Sequence, residues 1–129
     1  MCKLIDINTN FGSVIKVADI KEDCIKNIIE SASLCDKIDY IYLFGSSLKL
    51  NCKEQSDIDI AIISNINKSK LFKNKSYDNF TNKVYSKSLE QDYDLLFFES
   101  QDELKSDDLI CKEIIQEGQI IYKRNFDHV

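Results

Sequence analysis

The stretch whose reading decides the fold is Leu43-Phe44-Gly45-Ser46-Ser47, followed after about ten residues by Ser56-Asp57-Ile58-Asp59-Ile60-Ala61-Ile62-Ile63. An apolar run from Tyr40 to Phe44 leads into it and predicts a buried strand. A Gly-Ser turn ends that run. The second apolar run opens with two aspartates one residue apart. Side chains alternate faces along a strand, so Asp57 and Asp59 share one side, and Ile58, Ile60 and Ile62 the other. The latter half of this run is apolar on both faces, the pattern of a covered sheet.

Two like charges on one face cost free energy unless something positive stands between them. A divalent cation is the natural candidate. Magnesium prefers oxygen ligands and is held by one or two carboxylates together with substrate phosphates. The Gly-Ser turn suits the phosphate half of that task. Glycine lets backbone approach closely, and a turn opening onto a helix presents free N–H groups to an anion. Gly45 and Ser46 are therefore candidate phosphate contacts, with Asp57 and Asp59 as candidate metal ligands. The plain alternative for the two aspartates is a solvated strand edge, and the Gly-Ser turn before them weighs for the site.

This arrangement resembles the minimal nucleotidyltransferases of the polymerase beta-like superfamily. Their pattern is an apolar strand, Gly-Ser, a spacer, Asp-x-Asp in a second strand and a third carboxylate in a later strand. The resemblance runs from about Asp36 to Arg124 and implies Asp94, in Tyr93-Asp94-Leu95-Leu96-Phe97-Phe98, as the third carboxylate. Asp92 competes with it, since it shares the face of Asp94 nearer the strand's start. An unpaired carboxylate among Tyr93 and Leu95 to Phe98 would be costly, which favours a metal role for Asp94. Lys49 and Ser56 are lesser candidates for phosphate or positioning contacts, and Lys49 reads equally as a free surface lysine. Many relatives carry a small residue, Arg and Gly after Gly-Ser-x, where this chain has Leu48, Lys49 and Leu50. Lysine keeps the charge of arginine and not its fork geometry.

The resemblance implies an α+β fold of two layers, a small mixed sheet with helices packed mainly on one face. It implies transfer of AMP from ATP, with two Mg²⁺ ions, to an acceptor hydroxyl. Two metals about 4 Å apart would clamp the attacking and leaving oxygens. In that scheme Asp57 and Asp59 bridge both ions. Asp94 completes the one that binds the acceptor. Relatives of this size pair with a separate helical chain of the HEPN type, acting as antitoxin by adenylylating a toxin tyrosine. A partner protein is the expected acceptor. Two other readings stay open: a binding module that neutralises its partner by contact, and a transferase acting on a small molecule or RNA.

The 129 residues predict one domain, residues 1–129, with a modest core. Apolar content of 43% with 30% charged residues fits a globular chain. No run is long enough to span a bilayer, and Met1-Cys2-Lys3-Leu4 does not open a signal peptide, so a cytoplasmic protein is expected. Cys2, Cys24, Cys35, Cys52 and Cys111 are scattered without a C-x-x-C pair, which argues against zinc and against a disulfide framework. The single histidine, His128, stands beside the C-terminus and reads as a tail residue rather than a base. The net charge of −5 does not favour nucleic acid overall. Residues 68–87, however, hold six lysines against one acid, Asp78. They read either as a solvated helix face or as a surface for triphosphate, RNA or an acidic partner.

Leu4-Ile5-x-Ile7 and Val14-Ile15-x-Val17 around Gly12 predict two short strands joined by a turn. Asp19 with Glu22 predicts a helix start, and Ile25, Ile28, Ile29 and Ala32 its buried face. Ser47 to Asn51 reads as a short helix, and residues 67–89 as helix in two pieces. Ser106 or Asp107 is expected to cap a helix to about Gln116, with Leu109, Ile110, Ile114 and Ile115 facing inward, before Gly118 and a last strand, Gln119 to Tyr122.

Overall fold

Four strands make the central sheet, in the spatial order β5-β4-β3-β6. They are β3 (Ile38–Phe44), β4 (Ile58–Ser64), β5 (Tyr93–Phe98) and β6 (Gln119–Lys123). Strand β3 is antiparallel to β4 and β6, and β5 runs parallel to β4, so the sheet is mixed. The computed structural model describes residues 2–124. The expectation for His128 lies outside the described residues. No helix among them is long and apolar enough to cross a membrane.

Strands β1 (Leu4–Asn8) and β2 (Val14–Ala18) pair as the expected hairpin. Gly12 has a positive φ of 87° at its turn, a conformation that favours glycine. The hairpin leads into α1 (Glu22–Ala32) through a single tight turn, Asp19–Lys21. Asp19 does not cap the helix as the sequence suggested. Its carboxylate instead accepts the Lys3 N–H at 3.1 Å, which ties the hairpin's start to its end.

The period-two pattern of the strands divides the core in two. Ile41 and Leu43 of β3, Ile58, Ile60 and Ile62 of β4, and Tyr93, Leu95 and Phe97 of β5 point to one face. There they meet Ile25, Ile28 and Ile29 of α1, Leu71 of α2 (Lys68–Phe72), and Tyr77, Phe80 and Val84 of α3 (Lys75–Ser86). Asn27 of α1 donates to the Lys83 carbonyl at 2.9 Å and locks α1 to α3. The other face carries Tyr42, Phe44, Ala61 and Ile63 and is covered by Leu104 and by Cys111 and Ile114 of α4 (Leu109–Glu117). Three helices thus share one face and the last helix takes the other. The inward face of α4 is narrower than the sequence suggested. Cys111 and Ile114 are buried, while Leu109 is 83% exposed and Ile115 51%. The helix meets the sheet along one i, i+3 line, so neighbouring apolar positions stay in solvent.

Candidate active site

Strand β3 stops at Phe44, and the chain turns at Gly45 with φ +78°. One 3₁₀ turn follows, Gly45–Leu48, in place of the expected helix over residues 47–51. Ser46 is half-buried, and its carbonyl accepts the Lys49 N–H at 2.9 Å. Ser47 is fully buried, and its hydroxyl has no hydrogen-bond partner among the described residues. Lys49 and Leu50 are exposed, and their carbonyls accept the Cys2 thiol at 3.3 and 3.2 Å.

On β4 the isoleucines at 58, 60 and 62 fill the larger core, which turns Asp57 and Asp59 to the opposite face. Asp59 stands across from Phe44 on β3 and is the register partner of Asp94 on β5. Asp94 therefore lies on the same face as the other two aspartates. Its surroundings differ from expectation. Strand β5 is at the sheet edge, Tyr93 and Leu95 point to the other face, and Asp94 is exposed rather than embedded in apolar neighbours. Asp92 is exposed one residue before β5, and its carbonyl accepts the Ile58 N–H at 3.1 Å.

Asp59 feels this company most. Burial pushes its carboxyl up to about 6, and the neighbouring charges of Asp94, Asp57 and Glu113 add to the rise, as does a hydrogen bond with Asp94. Every named influence disfavours the anion, as expected of a half-buried carboxylate facing like charges. Glu113 was not foreseen from the sequence. It is the one acid within the apolar stretch Ile110 to Ile115, half-buried between Cys111 and Ile114 of α4. That position inside an amphipathic helix was the available signal.

The turn and the acids are in contact. A Cβ on Gly45 would run into the carboxylate of Asp59, so only glycine allows the loop to pass this close. The two lesser candidates fare differently. Lys49 is exposed on the loop. The Ser56 hydroxyl accepts the Lys53 N–H at 3.1 Å, and its carbonyl accepts the Lys21 ammonium at 2.7 Å. The lysine-rich helices α2 and α3 pack on the face opposite the carboxylates.

Among the described residues no three His, Cys, Asp or Glu side chains form a ready-made cage for an ion. The donor set nevertheless fits magnesium. It is all oxygen, it is crowded with like charge, and it opens onto a backbone turn. Magnesium keeps waters and phosphate oxygens in its shell and needs only one or two protein carboxylates. A zinc site would call for nitrogen or sulfur ligands, which these positions lack.

The family model described as "Polymerase beta, Nucleotidyltransferase" matches residues 25–127. No protein among curated sequences matches significantly. Solved structures share the fold. A chain of the mutant toxin–antitoxin complex MntA–HpeT superposes with a TM-score of 0.53 at 22% identity, covering 77% of this chain and 73% of that one. A chain of a toxin–antitoxin complex with AMP-PNP gives 0.51 at 24% identity, with coverage of 77% and 73%. The Shewanella oneidensis complex of tri-AMPylated HEPN toxin with MNT antitoxin gives 0.49 at 23% identity, covering 80% and 72%.

Proposed function

Because the chain belongs to the polymerase beta nucleotidyltransferase family, we propose that it moves AMP from ATP to a hydroxyl of a partner protein, as the antitoxin of a toxin–antitoxin pair. The observation that carries this reading is the contact between Gly45 and Asp59, with Asp57, Asp94 and Glu113 around the same carboxylate. Phosphate cradle and cation ligands meet there at one point. Two solved structures of the same fold are toxin–antitoxin complexes, one of them with AMP-PNP. That is the support for the nucleotide and for the class of partner, which the resemblance specifies further as a helical HEPN-type toxin.

In the reaction an acceptor oxygen attacks the α-phosphorus in line. A new P–O bond forms, the bond to the bridging oxygen breaks, and pyrophosphate leaves. The backbone at Gly45 and the Ser46 hydroxyl hold the terminal phosphates. Asp57 and Asp59 would hold Mg²⁺. Asp94, exposed at the sheet edge, would complete the cation site on the acceptor side and take the acceptor's proton. When bound, the two ions neutralise charge that builds on the attacking and leaving oxygens. Glu113 belongs to the same acidic group and adds to its demand for cations.

The test is label transfer from α-³²P-ATP to a co-purifying partner, with Asp57→Asn and Asp59→Asn as controls. Labelling by wild type alone is expected, and equal labelling by all three proteins overturns the reading. A second reading is favoured by the loop Leu48-Lys49-Leu50, which lacks arginine and glycine and leaves Leu50 exposed. In it the chain keeps the fold and silences its partner by contact. Calorimetry with ATP and Mg²⁺ separates the two, since metal-dependent nucleotide binding belongs to the first alone.

A further inference from the structure

Lys21 is among the largest of the fully buried side chains, with 1% of its surface exposed. It ends the tight turn that leads into α1. Its ammonium donates to the Glu54 carbonyl at 2.9 Å, the Ser56 carbonyl at 2.7 Å and the Gln91 side-chain oxygen at 2.6 Å. All three N–H donors are thus used, and all three acceptors are neutral. Among the described residues no carboxylate pairs with it. A buried charge without a counter-ion is an expensive way to fill space. A methionine would occupy the same volume at lower cost, so the value of this lysine lies in what its three bonds connect.

They connect the two strand starts that carry the acids. Ser56 immediately precedes Asp57, and Gln91 lies two residues before Tyr93, where β5 begins. Gln91 completes the link by donating from its amide nitrogen to the Ser56 carbonyl at 3.1 Å and the Asp92 carbonyl at 2.7 Å. The Asp92 carbonyl in turn accepts the Ile58 N–H at 3.1 Å, the bond that begins the β4–β5 ladder. β5 is an edge strand with a neighbour on one side only, so its start depends on such ties. We propose that Lys21, acting with Gln91, is a positioning residue: it fixes the starts of β4 and β5 against each other and so sets the spacing of Asp57, Asp59 and Asp94. The clamp stands on the hydrogen bonds just given. What the acids do with that spacing rests on the nucleotidyltransferase reading.

The experiment compares wild type with Lys21→Met and Gln91→Ala in two measurements, amide hydrogen exchange at Ile58 and Mn²⁺ affinity followed by the electron spin resonance of the free ion. Gln91 is half-buried, so its alanine variant carries the test if Lys21→Met does not fold. Both variants should speed exchange at Ile58 and weaken Mn²⁺ binding about tenfold, the loss typical when a support behind metal ligands is removed. A residue that only stabilises the fold would leave the Mn²⁺ affinity of the folded protein unchanged. Folded Gln91→Ala with wild-type exchange and wild-type affinity overturns the proposal. Faster exchange in the variants, with no Mn²⁺ uptake even by wild type, upholds the clamp and overturns the enzymatic reading instead.

Discussion

At the scale of single residues the site is a problem in charge. The carboxyl of Asp59 sits at about 6, well above the usual carboxylate value near 4. A raised acid pKa means that the folded state holds the proton more tightly than the unfolded one. Its contribution is then fully present below pH 4 and is lost as pH rises through 6. The full shift would be worth about 3 kcal/mol. Partial exposure and screening reduce that to about 1 kcal/mol. Metal-free Asp59→Asn should therefore be more stable than wild type by about this amount at pH 7, with the difference fading toward pH 4. Thermal melts at the two pH values measure it, and a less stable variant at pH 7 would refute the account. Mg²⁺ with ATP should remove the penalty in wild type and do nothing for the variant. Gly45 is constrained by both φ and space. Gly45→Ala should cost at least about 1 kcal/mol in urea denaturation, because alanine is strained at positive φ. It should also weaken nucleotide binding by moving the loop off Asp59; unchanged binding would mean that the turn does not cradle phosphate. Asp94 was expected beside the other two acids only through the resemblance, whereas that Asp57 and Asp59 share a face was legible from the period of two along their strand. That Asp59 and Asp94 are direct register partners was not, because strand adjacency is set by tertiary packing. The exposure of Asp94 was hidden for the same reason, since Tyr93-Asp94-Leu95 reads alike in a central and an edge strand.

At the scale of elements, the sequence was most readable where local chemistry acts alone. Residues 67–89 read as two helical pieces, and the break has a cause. Asn67 accepts the Lys70 N–H at 2.9 Å, and Asn74 accepts the N–H groups of Ser76 and Tyr77 at 2.9 and 3.3 Å. Each asparagine thus starts its own helix by satisfying N–H groups that the helix leaves open. Asn74→Ala should destabilise the protein by about 1 kcal/mol. Chemical denaturation checks this; a variant of unchanged stability would show that packing of Tyr77, Phe80 and Val84 alone holds α3. Helix α4 was less readable. Leu109, Ile110, Ile114 and Ile115 look like one face, yet they spread over a wide arc, and the sheet covers only the line through Cys111 and Ile114. Periodicity tells which residues lie together on a helix. How wide a strip the partner element covers is a fact about the partner. The tie from Lys21 to the strand starts escaped notice because a lysine ahead of a helix reads as solvent-facing by composition.

At the scale of the molecule, what matters is which side of the sheet each charge occupies. The acids stand on the face covered by α4, while α2 and α3, with the lysine-rich segment, cover the other. Position along the sheet separates them further. Asp59 is near the start of β4 and α2 begins after its end, so about 17 Å of strand lies between Asp59 and Ser64 at 3.3 Å per residue. Lys68 is engaged where it stands, its ammonium 5.6 Å from the Phe72 ring centroid and 5.3 Å from that of Phe97. Such contacts favour a cation kept on that surface rather than one reaching around the sheet. Replacing Lys68, Lys70, Lys73 and Lys75 together by alanine should therefore leave the affinity for Mg²⁺ and ATP within about twofold at low salt, where any lost attraction would be least screened. Calorimetry at low and physiological salt measures this directly. A loss of tenfold or more at low salt, fading as salt is added, would mean that the lysines act on the nucleotide through space and that the sheet does not insulate the two faces. If affinity holds while the labelling of a partner protein falls, the segment belongs to the contact with that partner and its lysines face an acidic surface there.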